Sequence, residues 1–129
     1  MSAAAPSATG IVLFAHGSRD PAWRAPIEAV ATRMRDLAPG TRVTCAFLEY
    51  TEPDLGTAVA ALLTEGASAI TVWPMFLGTG RHARDDLPRL VAELRTQYPA
   101  VAFSLREAIA EHPDVLQAMA LSALGRPTS

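Results

Sequence analysis

Histidine, arginine and carboxylate residues stand just behind the apolar runs of this chain. After residues 11–15 (IVLFA) the sequence reads AHGSRDP, which sets His16 at the end of the run with Gly17, Ser18 and Arg19 turning away from it. After residues 43–48 it reads FLEYTEP, with Glu49 at the end and Glu52 three residues on. After residues 70–73 comes PMFLGTGRHARDD, which holds Gly78, Gly80, Arg81, His82 and Arg84. After residues 101–105, Glu107 falls at the matching place, followed by Glu111 and His112. Imidazole with carboxylate and no thiolate suits a borderline divalent metal such as cobalt, iron, nickel or zinc, and two or three protein ligands leave open positions on it. The same imidazoles serve equally as proton acceptors, because their unperturbed pKa of about 6.5 lies near working pH.

What is absent narrows the field. Cys45 is the single cysteine, which excludes an internal disulfide, a CxxC pair, a thiolate zinc cluster and a protein-held iron–sulfur cluster. All 11 basic residues are arginine, so there is neither a P-loop nor a Schiff-base lysine, and without asparagine there is no N-glycosylation acceptor. The net charge of -2, with no basic stretch, lacks the electrostatic footprint of a nucleic-acid binder. At 129 residues, 50% hydrophobic and 19% charged, the chain reads as one globular domain able to bury a core without disulfides or structural metal. No uncharged stretch is long enough to span a bilayer, and MSAAAPSAT at the start has neither a positive n-region nor an apolar h-region. The expectation is a cytoplasmic protein with a flexible leader over residues 1–9 and a single domain over residues 10–125.

The four apolar runs read as strands, the first and third continuous enough for burial on both faces. Between the first two, Asp20 caps a helix with Pro21 at its first position, and Ile27, Val30, Met34 and Leu37 recur at spacings of three and four. Thr51 and Pro53 open the next helix, whose apolar face is Leu55, Val59, Leu62 and Leu63 and whose end is capped by Gly66. A third starts at Asp85 or Asp86, carries Leu87, Leu90, Val91 and Leu94, and ends at Tyr98-Pro99. That leaves a ten-residue loop from Phe76 to Asp85, long for a βα connection. A last helix from Pro113 carries Val115, Leu116, Met119 and Leu124. The alternation predicts a small doubly wound α/β domain, a four-stranded mostly parallel sheet with helices on both faces. Ligands bind such sheets outside the carboxyl ends of the strands, so the topology alone sets His16, His82 and two or three carboxylates on one rim.

Each of these residues also has a plain structural reading. His16 can bond a turn, Gly17-Ser18 can be turn chemistry or an anion-binding helix N-terminus, and Glu49 can be a solvated strand end. Glu52 and Asp54 fit as first-turn helix charges, and His112 as a surface residue at a helix start.

Taken together, the motifs resemble the small, single-domain sirohydrochlorin chelatases of the CbiX type, relatives of the class II tetrapyrrole chelatases. The resemblance is carried by AHGSRDP at 15–21, FLEYTEP at 47–53 and WPMFLGTGRHARDDLP at 73–88, and it runs over roughly residues 10–124. It implies a chelatase-like fold and a lyase-type enzyme that inserts Co2+, Fe2+ or Ni2+, as substrate, into sirohydrochlorin for cobalamin or siroheme synthesis, with no organic cofactor. It also implies His16, His82 and Glu49 as metal ligands, one of them accepting the ring protons. Arg19, Arg81 and Arg84 are then candidate partners for the ring carboxylates, with Ser18 beside them and Phe76 and Leu77 offering an apolar surface to the ring. The family pattern has a glycine before the Glu-His-Pro of the last helix; Ala110 stands here, and Glu107 and His112 are left outside the site. A flat tetrapyrrole exceeds the rim of one such domain, so a homodimer is expected. Two other function classes remain: a noncatalytic metal or tetrapyrrole carrier, and a histidine phosphatase-like enzyme. The latter is weaker because Arg19 follows His16 rather than preceding it.

Overall fold

The computed structural model describes residues 8–78 and 81–127, without the side chains of residues 81–84. Four strands, β1 (Thr9–Ala15), β2 (Arg42–Phe47), β3 (Ala69–Pro74) and β4 (Ala102–Leu105), pair in parallel in the order β2-β1-β3-β4. Four helices connect or follow them: α1 (Ala25–Leu37), α2 (Leu55–Thr64), α3 (Arg81–Gln97) and α4 (Pro113–Ala123). This is the expected doubly wound α/β arrangement. β1 begins two residues before its expected start, because the Ala8 carbonyl accepts a 2.8 Å bond from the Ser68 N–H and draws Thr9 into the sheet.

Local chemistry explains most element boundaries. The Asp20 carboxylate accepts from the Ala22 N–H at 3.0 Å, and Pro21 opens a 3-10 turn (Pro21–Arg24) that leads into α1. Gly66 ends α2 at φ 107°, a conformation that costs a side-chain-bearing residue. The cap of α2 corrects the expectation. Asp54, not Thr51 or Pro53, starts the helix by accepting from the Thr57 N–H at 2.8 Å, since the Thr51 hydroxyl is engaged elsewhere. α3 starts at Arg81, four residues before Asp85, so the expected ten-residue loop is shorter and Pro88 lies inside the helix. Residues 81–87 contain neither glycine nor proline, and nothing in them stops the helix short of the residue after Gly80.

The core has two unequal layers. On one face Val12, Phe14, Ile70, Val72 and Phe103 pack against Leu55, Val59 and Leu62 of α2 and Leu87, Val91 and Leu94 of α3. On the other, Leu13, Ala15, Val43, Cys45 and Phe47 meet α1 through Ala31, with Ile27 and Met34 partly buried. Val30 and Leu37, expected on the buried face of α1, are exposed, because the helix turns Ala31, with Ile27 and Met34 beside it, toward the sheet. α4 buries no residue, and its Leu116, Met119 and Leu124 face solvent. β3 is correspondingly buried on one face only: Ile70, Val72 and Pro74 point into the thick layer while Thr71 and Trp73 are half-buried. Burial pushes the Cys45 thiol up from its ordinary value, Glu28 adding to the shift and Arg35 and Arg24 opposing it. Cys45 therefore stays a protonated, inert core residue. Among the described residues, no helix is long and apolar enough to cross a membrane.

Candidate functional site

The register levels three strand ends. Ala15 lies opposite Phe47 and Phe14 opposite Pro74, so His16, Glu49 and Met75 follow at one edge of the sheet. The two connections carrying His16 and Glu49 are then stitched together by main-chain bonds. The Leu48 N–H donates to the Ala15 carbonyl at 2.9 Å, and the Glu49 N–H donates to the His16 carbonyl at 3.0 Å. The Thr51 hydroxyl completes the clamp by accepting from the Ser18 N–H at 3.2 Å and donating to the Ser18 carbonyl at 2.9 Å. Gly17 is demanded by this approach: at φ 87° a Cβ there would lie 1.9 Å from the Glu49 carbonyl oxygen. Glycine in the AHGSRDP motif thus follows from packing the two backbones edge to edge.

His16 and Glu49 both line one cavity of about 580 Å3, with Ser18 and Gly17 beside them. Its other walls are Trp23, Pro26 and Ile27 from the start of the α1 region, Phe47 and Ala15 from the strand ends, and Met75 and Phe76 after β3. The His16 ring rests on Phe76, centroids 4.7 Å apart at 38°, and Phe76 meets Phe14 edge-on at 6.4 Å. That aromatic chain fixes the imidazole from below. Phe76 is only 7% exposed and belongs to the thick core layer as well as to the cavity wall, so it supports the His16 ring and offers the cavity little free surface. Leu77 is 80% exposed and lies outside the cavity wall.

The remaining sequence-predicted residues divide clearly. Arg19 stands outside the cavity lining with its guanidinium 4.7 Å from the centre of the Tyr50 ring. The side chains of Arg81, His82 and Arg84 lie outside the described residues; their backbone forms the first turn of α3, so His82 belongs to a helix rather than to a loop. Glu107 pairs with Arg106 at 3.3 Å, and the His112 Nδ1 accepts from the Asp114 N–H at 3.2 Å as the cap of α4. Neither lines the cavity. Glu52 and Asp54 border a separate groove of about 380 Å3, and the Thr57 N–H bonded to Asp54 holds its carboxyl below the ordinary carboxylate value. Among the described residues, no group of three or more His, Cys, Asp or Glu side chains stands close enough to hold a metal ion. The pair His16 and Glu49 is what the described part of the cavity offers as donors.

Trp23, Pro26, Ile27, Phe47 and Met75 were not legible as site residues. The one available signal was Trp23, a large aromatic in an otherwise polar stretch three residues after the Asp20 cap.

An open parallel α/β sheet with an imidazole and a carboxylate over a cavity at its carboxyl edge defines the class of protein, and comparison with known proteins defines the family. The CbiX family model matches residues 10–123, and this chain belongs to the CbiX family. A sirohydrochlorin cobaltochelatase of Saccharolobus solfataricus is 37% identical over 82 residues, covering 64% of this chain and 62% of that protein. The chain thus matches less than two thirds of that relative's length. One from Saccharolobus islandicus is 34% identical over 96 residues, covering 69% and 71%. Among solved structures, a CbiX protein from Marinobacter aquaeolei VT8 superposes with a TM-score of 0.78 at 30% identity, over 91% of this chain and 95% of that one. The sirohydrochlorin chelatase SirB from Bacillus subtilis subspecies spizizenii, in complex with cobalt, superposes with a TM-score of 0.75 at 26% identity, over 91% of this chain and 50% of that one.

Proposed function

We propose that this protein is a sirohydrochlorin chelatase that takes up a divalent metal, Co2+ foremost with Fe2+ and Ni2+ as alternatives, and inserts it into the free-base ring. The observation that carries this reading is the placement of His16 and Glu49 on one cavity whose other walls are mostly apolar. Family membership adds weight to it and removes the ground for a histidine phosphatase.

The residues present can do the chemistry. A neutral imidazole and a carboxylate are borderline-hard donors that hold such an ion without the tight grip of thiolates, and a small protein ligand set leaves positions for ring nitrogens. His82, from the first turn of α3, is proposed as the third ligand. Insertion exchanges the metal ion for two ring N–H protons; one of His16, His82 and Glu49 accepts the first as the metal–nitrogen bonds form, and the second passes to another of them or to solvent water. Arg19, Arg81 and Arg84 would pair with the carboxylates at the ring's edge, and the Ser18 hydroxyl is a further donor. The reaction as written requires no organic cofactor.

A homodimer fits the same reading. The chain covers half of SirB, and the exposed apolar side chains of α1 and α4 (Val30, Leu37, Leu116 and Met119) supply a surface for a second copy to bury. A cytoplasmic location is part of the proposal, supported by a lone buried cysteine. The direct test is an absorbance assay with sirohydrochlorin and Co2+. Many rings metallated per protein, faster than the spontaneous reaction, is the expected outcome. Stoichiometric binding without turnover would leave a carrier, and no binding would end the proposal.

A further inference from the structure

One wall of the cavity is a residue that metal chemistry does not use. Trp23 is 69% exposed and lines the cavity beside His16 and Glu49. The turn that presents it is tightly tied: the Asp20 carbonyl accepts from the Trp23 N–H at 3.1 Å, and the Ser18 hydroxyl oxygen accepts from the Asp20 N–H at 3.1 Å. The position of the indole is therefore coupled to the connection that carries His16. The other tryptophan is treated differently. Trp73 is half-buried, with the Arg106 guanidinium 4.7 Å from its ring centre and the His112 ring at 6.1 Å. No ring or guanidinium contact of that kind covers Trp23 among the described residues. An indole left in water forgoes the free energy of its burial, and it can recover that free energy by meeting a flat, conjugated surface.

The geometry points to Trp23 as a ring-binding residue, its indole stacking on the face of the planar tetrapyrrole at the cavity mouth. The inference rests on the chelatase reading and deepens it, since it names what holds the ring while His16 and Glu49 handle the metal. Stacking of this kind contributes to binding ground state and transition state alike, so its loss acts on KM more than on kcat.

The test compares Trp23→Ala and Trp23→Phe with the wild type, using metal-free sirohydrochlorin and Co2+ as separate probes. In a Trp73→Phe background Trp23 is the only tryptophan, and saturating sirohydrochlorin should quench its emission. Trp23→Ala should raise KM for the ring about tenfold, the scale of one lost stacking contact, with kcat and Co2+ affinity unchanged, and Trp23→Phe should recover most of it. Unquenched emission, or an unchanged KM in Trp23→Ala beside a wild type that turns over, overturns the role of Trp23 and leaves the chelatase reading standing. A parallel loss of Co2+ affinity in both variants also overturns it, as the sign of a merely structural residue. A wild type that neither binds nor metallates sirohydrochlorin overturns both.

Discussion

The two faces of the sheet are built for different ends. Beneath α2 and α3, the side chains of Val12, Phe14, Ile70, Val72, Leu62 and Val91 are closed off from water in one continuous cluster. On the α1 side a smaller cluster meets the sheet, Ala31 is the one buried residue of its helix, and Trp23, Pro26 and Ile27 border the cavity instead. The difference separates stability from function. One face holds the strands rigidly in register, and the other leaves a cavity and exposed apolar side chains, which the proposed ring and the proposed second copy would cover.

That contrast can be broken first where the effect is largest. Leu62→Ala removes a side chain that is 1% exposed at the centre of the thick layer and should cost about 2–5 kcal/mol. Leu116→Ala removes one that is 52% exposed, should cost less than about 0.5 kcal/mol in the isolated chain, and should weaken self-association instead. Denaturant unfolding and sedimentation velocity on the two variants read these outcomes separately. Equal losses of stability would mean that the α4 face is covered within a single chain.

The clamp between the two connections gives an intermediate effect. Thr51→Val leaves the Ser18 N–H and carbonyl without their shared partner, and the loss should be about 1–2 kcal/mol. Because the same bonds space His16 against Glu49, insertion should slow as well, and Thr51→Ser should restore both. Normal turnover in Thr51→Val would show that the site tolerates a looser rim.

The smallest effect lies on the cap of α2. Asp54→Ala should cost about 1 kcal/mol at neutral pH. The folded carboxyl titrates below its unfolded value, so this stabilisation is complete above the ordinary carboxylate range and disappears as pH falls through the lowered value. Wild type and variant should therefore converge in acid. A gap in midpoint that stays constant down to about pH 2, well below the ordinary Asp value of about 3.9, would exclude the ionised cap as its cause.

Much of this arrangement was legible in the chain, for reasons that differ by residue. A mostly parallel sheet with helices on both faces follows from β-α alternation and right-handed crossovers, and the Asp20 and Gly66 caps are local chemistry read directly from side-chain type. His16 and Glu49 were found because topology puts them on one edge whatever the details of packing. Periodicity failed where tertiary cover decides. It marks Val30, Leu37, Leu116 and Leu124 as apolar without telling that they stay exposed among the described residues. It also could not show that the Thr51 hydroxyl would bond Ser18 across the rim and leave the cap of α2 to Asp54. Trp23 carries no periodic signal at all, since a single turn sets it on the cavity wall.

The central claim is that His16 and Glu49 act together on a metal ion bound for a tetrapyrrole. Initial rates of Co2+ insertion into sirohydrochlorin by wild type, His16→Ala, Glu49→Gln and the double variant test it most directly, with thermal unfolding run on each. Each single change should cost about a hundredfold or more in rate, and the double variant little beyond that, as for groups acting as one unit. Melting should move by no more than a few degrees, since both side chains are exposed. Single variants that turn over at near wild-type rates, with the fold intact, would contradict the account.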